Sequence, residues 1–137
     1  MRQSMINHRQ RDLLAVMAGS IVGGGLRLSM ANWPLLQTGS AMPLPTLLAN
    51  LSGSLLIGLL AGLLARARAS TKASLTPLLL TGFCGGLTTF SIFSLETLAM
   101  LDAGNHLAAG GYVGLTMLLS PAAAWLGLTL VFSVSRE

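Results

Sequence analysis

The sequence predicts an all-α membrane protein with four spanning helices, forming one domain over 1–137. Three observations carry this prediction. Of the residues, 53% are hydrophobic and only 9% are charged, with a mean hydropathy of +0.72, whereas a soluble domain carries about a quarter charged residues. Such a chain cannot clothe a surface that faces water. Uncharged stretches fall at 13–26, 44–65, 73–95 and 107–135, and each of the last three meets the ~20 apolar residues a spanning helix needs. Finally, Arg2, Arg9, Arg11, Arg66, Arg68, Lys72 and Arg136 all lie on one side of a four-span scheme, and only Arg27 approaches the other. Basic residues gather on the cytoplasmic side of membrane proteins, so both termini are expected there.

The first helix is expected over about 13–33, because residues 28–36 are again uncharged after Arg27 and Pro34 then stops the helix. The polar residues through Asp12 are expected to be interfacial or frayed. A cleavable signal peptide is the rival for this run, since Arg9 and Arg11 precede it and Ser29-Met30-Ala31 resembles a cleavage site. Arg27 interrupts the apolar core such a signal needs, and three further spans follow. Residues 37–42 read as a loop. Pro43 and Pro45 open the second helix, about 44–65, and residues 66–74 form a short basic connector. The third helix covers about 74–98, with Pro77 in its first turns. Residues 103–106 turn the chain into a fourth helix, about 107–134, with Pro121 as its candidate kink. Gly19 and Gly23, then Ser54, Gly58 and Gly62, then Gly82 and Gly86 recur at a spacing of four. In lipid such stripes let backbones approach closely. Plain helix packing accounts for them. Four thin helices leave little room for a pore within one copy, so the same faces are also candidate oligomer interfaces.

The run 82–96, Gly-Phe-Cys-Gly-Gly-Leu-Thr-Thr-Phe-Ser-Ile-Phe-Ser-Leu-Glu, carries the functional signal. It puts three glycines, two threonines and two serines where an ordinary span carries leucine. Unpaired backbone finds no partner in lipid, so a segment this prone to break faces protein or a water-filled path. It is a candidate ion site inside a membrane. Asn50 is the strongly polar side chain of the second span, and its amide either bridges helices or donates to an anion. Tyr112, Thr116 and Ser120 recur every four residues, so their hydroxyls share one face of the fourth helix. Such a column either pairs with neighbours or forms a track of uncharged donors for a small anion. Phe90 and Phe93 lie three apart on one face, as core packing or as ring edges turned to an anion. Arg27 and Glu96 sit near span ends, either snorkelling to the interface or lining pore mouths, and Asp102 reads as interfacial.

The same reading excludes several classes. A single cysteine, Cys84, rules out an internal disulfide and a cysteine-based metal site. The pI near 10.7 does not point to nucleic acid, because the basic residues are few and not interleaved with aromatics. There is no Ser-His-Asp set, histidine cluster or GxxxxGK loop, so an enzyme has no support. No carboxylate lies in the middle of a span, which argues against a proton-coupled pump.

The pattern Gly-Phe-x-Gly-Gly-x-Thr-Thr-Phe-Ser-x-Phe-Ser at 82–94, with Gly23-Gly24-Gly25-Leu26-Arg27 and Leu48-Ala49-Asn50-Leu51, resembles the CrcB/Fluc family of small bacterial fluoride channels along essentially the whole chain. The resemblance implies an antiparallel, dual-topology dimer of four-helix subunits with two fluoride pores and a third helix broken at its centre. It implies that the backbone carbonyls of Gly85 and Thr88 hold a structural sodium ion (Na+) between subunits. Phe90, Phe93, Ser91, Asn50, Tyr112, Thr116 and Ser120 then fall along the fluoride path. The family commonly has threonine where this chain has Ile92, which removes one hydroxyl from that path. The one-sided basic residues imply insertion mainly with the termini inside, and pairing with itself or with a related chain of opposite orientation. The function so implied is passive, fluoride-selective export across the bacterial inner membrane, which lowers fluoride toxicity. A small multidrug exporter is the runner-up, but it needs a carboxylate in the first span, and this chain has none after Asp12. A non-conducting subunit of a heterodimeric channel is the third reading.

Overall fold

The computed structural model describes residues 2–36 and 42–133, so Arg136 and most of the expected loop at 37–42 lie outside the described residues. Helix α1 runs over Arg2–Ala31, followed by a 3-10 turn at Pro34–Leu36. Helix α2 covers Leu44–Arg66, and α3 covers Ala69–Thr76. A π-helical stretch, Pro77–Cys84, leads into the single turn α4, Gly85–Leu87. Helices α5, Ser91–Asp102, and α6, His106–Ser133, complete the chain, with no strand among the described residues. Four segments are long and apolar enough to span a bilayer: Asn7–Ala31, Leu44–Arg66, Ala69–Asp102 and His106–Ser133. The chain is therefore a multi-pass membrane protein.

Element ends follow local chemistry. Trp33 precedes Pro34, and the proline ring disfavours helical backbone at the preceding residue, so α1 stops at Ala31. Pro45 sits at the start of α2, where its missing N–H has no helical acceptor to lose. Helix α5 ends in a Schellman motif. Gly104 adopts φ +77, Asn105 N–H donates to the Met100 carbonyl at 2.9 Å, and Gly104 N–H to Leu101 at 3.0 Å. Two expectations are corrected here. The polar residues before Leu13 are not frayed but belong to α1 from Arg2 onward, because no proline or glycine interrupts the turn before Gly19. The basic connector shrinks to Ala67 and Arg68, since α3 begins at Ala69. Helix α6 runs unbroken through Pro121.

The small-residue stripes are spent inside one chain. A Cβ on Gly19 would fall 2.7 Å from Phe83 N, and one on Gly23 2.8 Å from Leu87 N. Across the same seam, a Cβ on Gly82 would meet Val16 O at 2.7 Å, and one on Gly86 would meet Ser20 O at 2.7 Å. Helix α1 and the π-helical stretch are thus in backbone-to-backbone contact. Helices α2 and α6 meet likewise, with Gly58 against Ala124, Gly62 against Val131, and Gly127 against Leu55 and Leu59. These glycines are taken up by intrachain packing, whereas Ser54 of the second stripe lines the groove described below. The apolar surface left over is large: Leu14, Ile21, Leu118 and Trp125 are all exposed, as lipid-facing residues are. A small core of Leu47, Phe93, Met100, Ala109 and Tyr112 closes one end of the bundle.

Candidate functional site

The helical path of the third segment is interrupted between Leu87 and Ser91. Thr88 turns to extended backbone, φ −79 and ψ 156. Two sets of hydrogen bonds, one across to α2 and one local, make the interruption. The Thr89 N–H would close a helical turn on the Gly85 carbonyl, but it donates to Asn50 Oδ1 at 2.8 Å instead. Asn50 Nδ2 in turn donates to the Thr89 carbonyl at 3.1 Å. A buried side chain of α2 thereby satisfies both polar groups of residue 89 that the helix abandons. Thr89 Oγ1 then accepts the Ile92 N–H at 3.2 Å, three residues on, which caps the restart of the helix. Asn50 is 7% exposed and Thr89 8%, so these bonds are shielded from water. Of the two amide donors on Asn50, one is committed to Thr89.

Beside this interruption lies a groove of about 340 Å³. It gathers Asn50, Thr88, Phe90, Phe93, Thr116 and Ser120 of the expected site, together with Gly53, Ser54, Thr89, Met117 and Pro121. Thr116 Oγ1 and Ser120 Oγ are buried and have no hydrogen-bond partner. Leaving a buried hydroxyl unsatisfied costs ~1–3 kcal/mol. Two such groups in one groove mark a place prepared for something polar. The phenylalanines part company: their ring centroids lie 5.7 Å apart, yet Phe90 is 70% exposed and Phe93 only 4%. Phe90 precedes the first turn of α5 and projects outward, whereas Phe93 packs on Tyr112 at 5.1 Å.

The remaining expected residues are placed elsewhere. Tyr112 is wholly buried, and its hydroxyl donates to Glu96 Oε2 at 2.7 Å. Thr46 donates to Glu96 Oε1 at 2.8 Å. Glu96 is thus half-buried and held by two hydroxyls, joining α2, α5 and α6. Arg27 is half-buried, and its Nη1 approaches the Thr88 carbonyl at 3.4 Å. Ser91 is exposed, with its hydroxyl 3.3 Å from that of Thr89. Gly85 is exposed, with open space where a Cβ would stand. Ile92 is 38% exposed and outside the groove lining. Sequence reasoning missed Thr46 and Thr89 as site residues. The signal for Thr46 was its place one helical turn before Asn50. For Thr89 it was a hydroxyl residue three before Ile92, the spacing of a helix cap.

These features define a class: a four-span membrane protein whose third segment is interrupted beside a groove with unsatisfied hydroxyls. Residues 14–128 match the family model described as CrcB-like protein, Camphor Resistance (CrcB). The chain belongs to the CrcB family. It is 37% identical over 126 residues to the fluoride-specific ion channel FluC of Methylocella silvestris, covering 91% of this chain and 96% of the relative. The proteins of the same name from Stutzerimonas stutzeri and Pseudomonas fluorescens are 43% and 40% identical over 120 residues, each covering 88% of this chain and 96% of the relative.

Proposed function

We propose that this chain is a fluoride channel, passively exporting fluoride from the cytoplasm and lowering its toxicity. The observation that carries the reading is the pair of unpartnered hydroxyls, Thr116 and Ser120, in a groove that also holds Asn50 and the phenylalanines. Uncharged donors suit a small anion that must bind and then leave. The free amide donor of Asn50 and the positive edges of the phenyl rings add weak electropositive contacts. Arg27 and Glu96 would then stand near the mouths of the path, with Ser91 at its rim, where its hydroxyl lies 3.3 Å from that of Thr89. The relatives' names, fluoride-specific ion channel, agree with this chemistry.

The 70% exposure of Phe90 supports a second copy closing the groove, and an antiparallel dimer is the arrangement we favour. A structural sodium ion at the dimer centre belongs to the same reading. The residues fit it: the Gly85 carbonyl has lost the Thr89 N–H as helical donor, and Gly85 faces open space. The Thr88 carbonyl, having two lone pairs, can ligate a cation with one while accepting the Arg27 N–H with the other. When bound, the ion would supply positive charge that favours an anion nearby. With seven basic residues on one side, the chain would insert in the bacterial inner membrane with cytoplasmic termini. Its partner would then be a related chain of opposite orientation, or a minority of its own copies.

Liposomes holding the purified chain, with potassium and valinomycin to clamp the voltage, test the proposal. Rapid fluoride release with negligible chloride release is the expected result. Absence of fluoride release, alone and after co-expression with a related chain, would refute it.

A further inference from the structure

At the end of the bundle that carries the basic residues, α1 and α3 flank a surface cavity of about 260 Å³, lined by exposed residues and the half-buried Ser74. His8, Arg11 and Asp12 line it from one turn of α1, and Ser70, Ala73 and Ser74 from one turn of α3. Arg11 Nη2 donates to Ser74 Oγ at 2.8 Å, which holds the guanidinium across the seam. That bond uses one of five N–H donors. Both helices change character at this level: α1 turns apolar at Leu13, just after Asp12, and α3 at Leu75, just after Ser74. At 1.5 Å per residue, the helix from Leu13 to its end at Ala31 rises ~27 Å, close to the ~30 Å of the hydrocarbon core. The cavity therefore sits at the depth of lipid phosphates.

We infer that this cavity seats the headgroup of a zwitterionic aminophospholipid, phosphatidylethanolamine in chemical class. Its lining pairs one guanidinium with one carboxylate, flanked by two hydroxyls and an imidazole. Arg11 presents N–H donors to the phosphate, and Asp12 accepts from the primary ammonium. A purely anionic headgroup would leave Asp12 facing like charge. A choline headgroup offers no N–H for Asp12 to accept. Arg9, Arg68 and Lys72 lie close by in sequence and draw phosphate to this level without discriminating between headgroups. The inference is independent of the ion carried, because the seam lies outside the groove of Asn50 and Ser120.

The test uses the full chain in detergent with equimolar phosphatidylethanolamine, phosphatidylglycerol and phosphatidylcholine of identical acyl chains, counting retained lipids by native mass spectrometry. Retention of phosphatidylethanolamine is expected to exceed each of the others about fivefold. Asp12→Asn should bring phosphatidylethanolamine down to the level of phosphatidylcholine, and Arg11→Gln should lower all three. Arg66→Gln removes the same charge at the α2 end, where Arg66 lies over the Phe132 ring, and should leave the preference intact. Gel filtration of each variant confirms that it is folded. Equal or greater retention of phosphatidylglycerol by the wild type would overturn the inference in favour of diffuse charge attraction. Equal loss in Arg66→Gln, or an unchanged preference in Asp12→Asn, would overturn it too. Displacement of the lipid by free phosphoethanolamine at equal concentration would mean that the site takes a soluble headgroup, and would overturn the lipid assignment.

Discussion

Replacing Asn50 by alanine tests whether this side chain holds the interruption open. The substitution deletes two buried bonds, 2.8 Å from the Thr89 N–H and 3.1 Å to the Thr89 carbonyl. Each backbone group left unsatisfied costs ~1–3 kcal/mol. The released Thr89 N–H can pair again with the Gly85 carbonyl, which recovers part of the loss and puts it toward the lower end of the range. We expect Asn50→Ala to destabilise the chain by about 2–3 kcal/mol, or roughly 30- to 150-fold in the unfolding equilibrium. The released Thr89 N–H is then free to return to the Gly85 carbonyl, which would continue the helix and rotate Phe90 away from the groove. Thermal unfolding in detergent reads the first effect, and fluoride efflux from liposomes reads the second. Both should fall together. A variant with wild-type stability that still conducts would show that the clamp holds nothing. A wild-type melting curve with abolished flux would make Asn50 an anion donor alone.

Four shorter predictions follow from the same geometry. Thr116→Val combined with Ser120→Ala removes two unsatisfied hydroxyls, so thermal stability should hold or rise by about 1 kcal/mol while fluoride efflux falls at least about tenfold. Phe90→Ile should slow efflux yet change stability by less than about 0.5 kcal/mol, because the ring is 70% exposed; unchanged flux would remove Phe90 from the path. Gly86→Ala sets a methyl 2.7 Å from the Ser20 carbonyl oxygen and should destabilise the chain by about 3 kcal/mol, seen as a lower melting temperature in detergent. Tyr112→Phe deletes a 2.7 Å hydrogen bond to the Glu96 carboxylate and should cost about 1.5–3 kcal/mol in a denaturation experiment.

Much of the fold was legible because lipid imposes simple rules. An uncharged run of sufficient length becomes a helix whatever its neighbours do, since its backbone has no other partner there. The prolines at 34, 43 and 45 punctuate those runs as expected. The candidate site was legible as a set of residue types, and Asn50, Phe90, Phe93, Thr116 and Ser120 do meet in one groove. Their individual duties were not. A polar side chain's spacing says which face it occupies, but not whether its hydrogen-bonding capacity is already spent. Tyr112, Thr116 and Ser120 form one column by spacing, yet Glu96 takes up the first hydroxyl and leaves the other two unpaired.

The amino-acid pattern was enough to establish a four-span helical membrane protein and its basic end, and it singled out the third segment as the candidate site. These follow from hydropathy, charge and composition, which act on each stretch of chain separately. Three matters depended on how the helices meet. The π-helical stretch at Pro77–Cys84 accompanies the close approach of Gly82 and Gly86 to the α1 backbone. The separation of Phe90 from Phe93 reflects the turn at Thr88, which sends one ring outward and the other onto Tyr112. The pairing of Asn50 with Thr89 joins groups 39 residues apart. Each is a contact between distant parts of the chain, and no local rule of propensity or spacing carries that information.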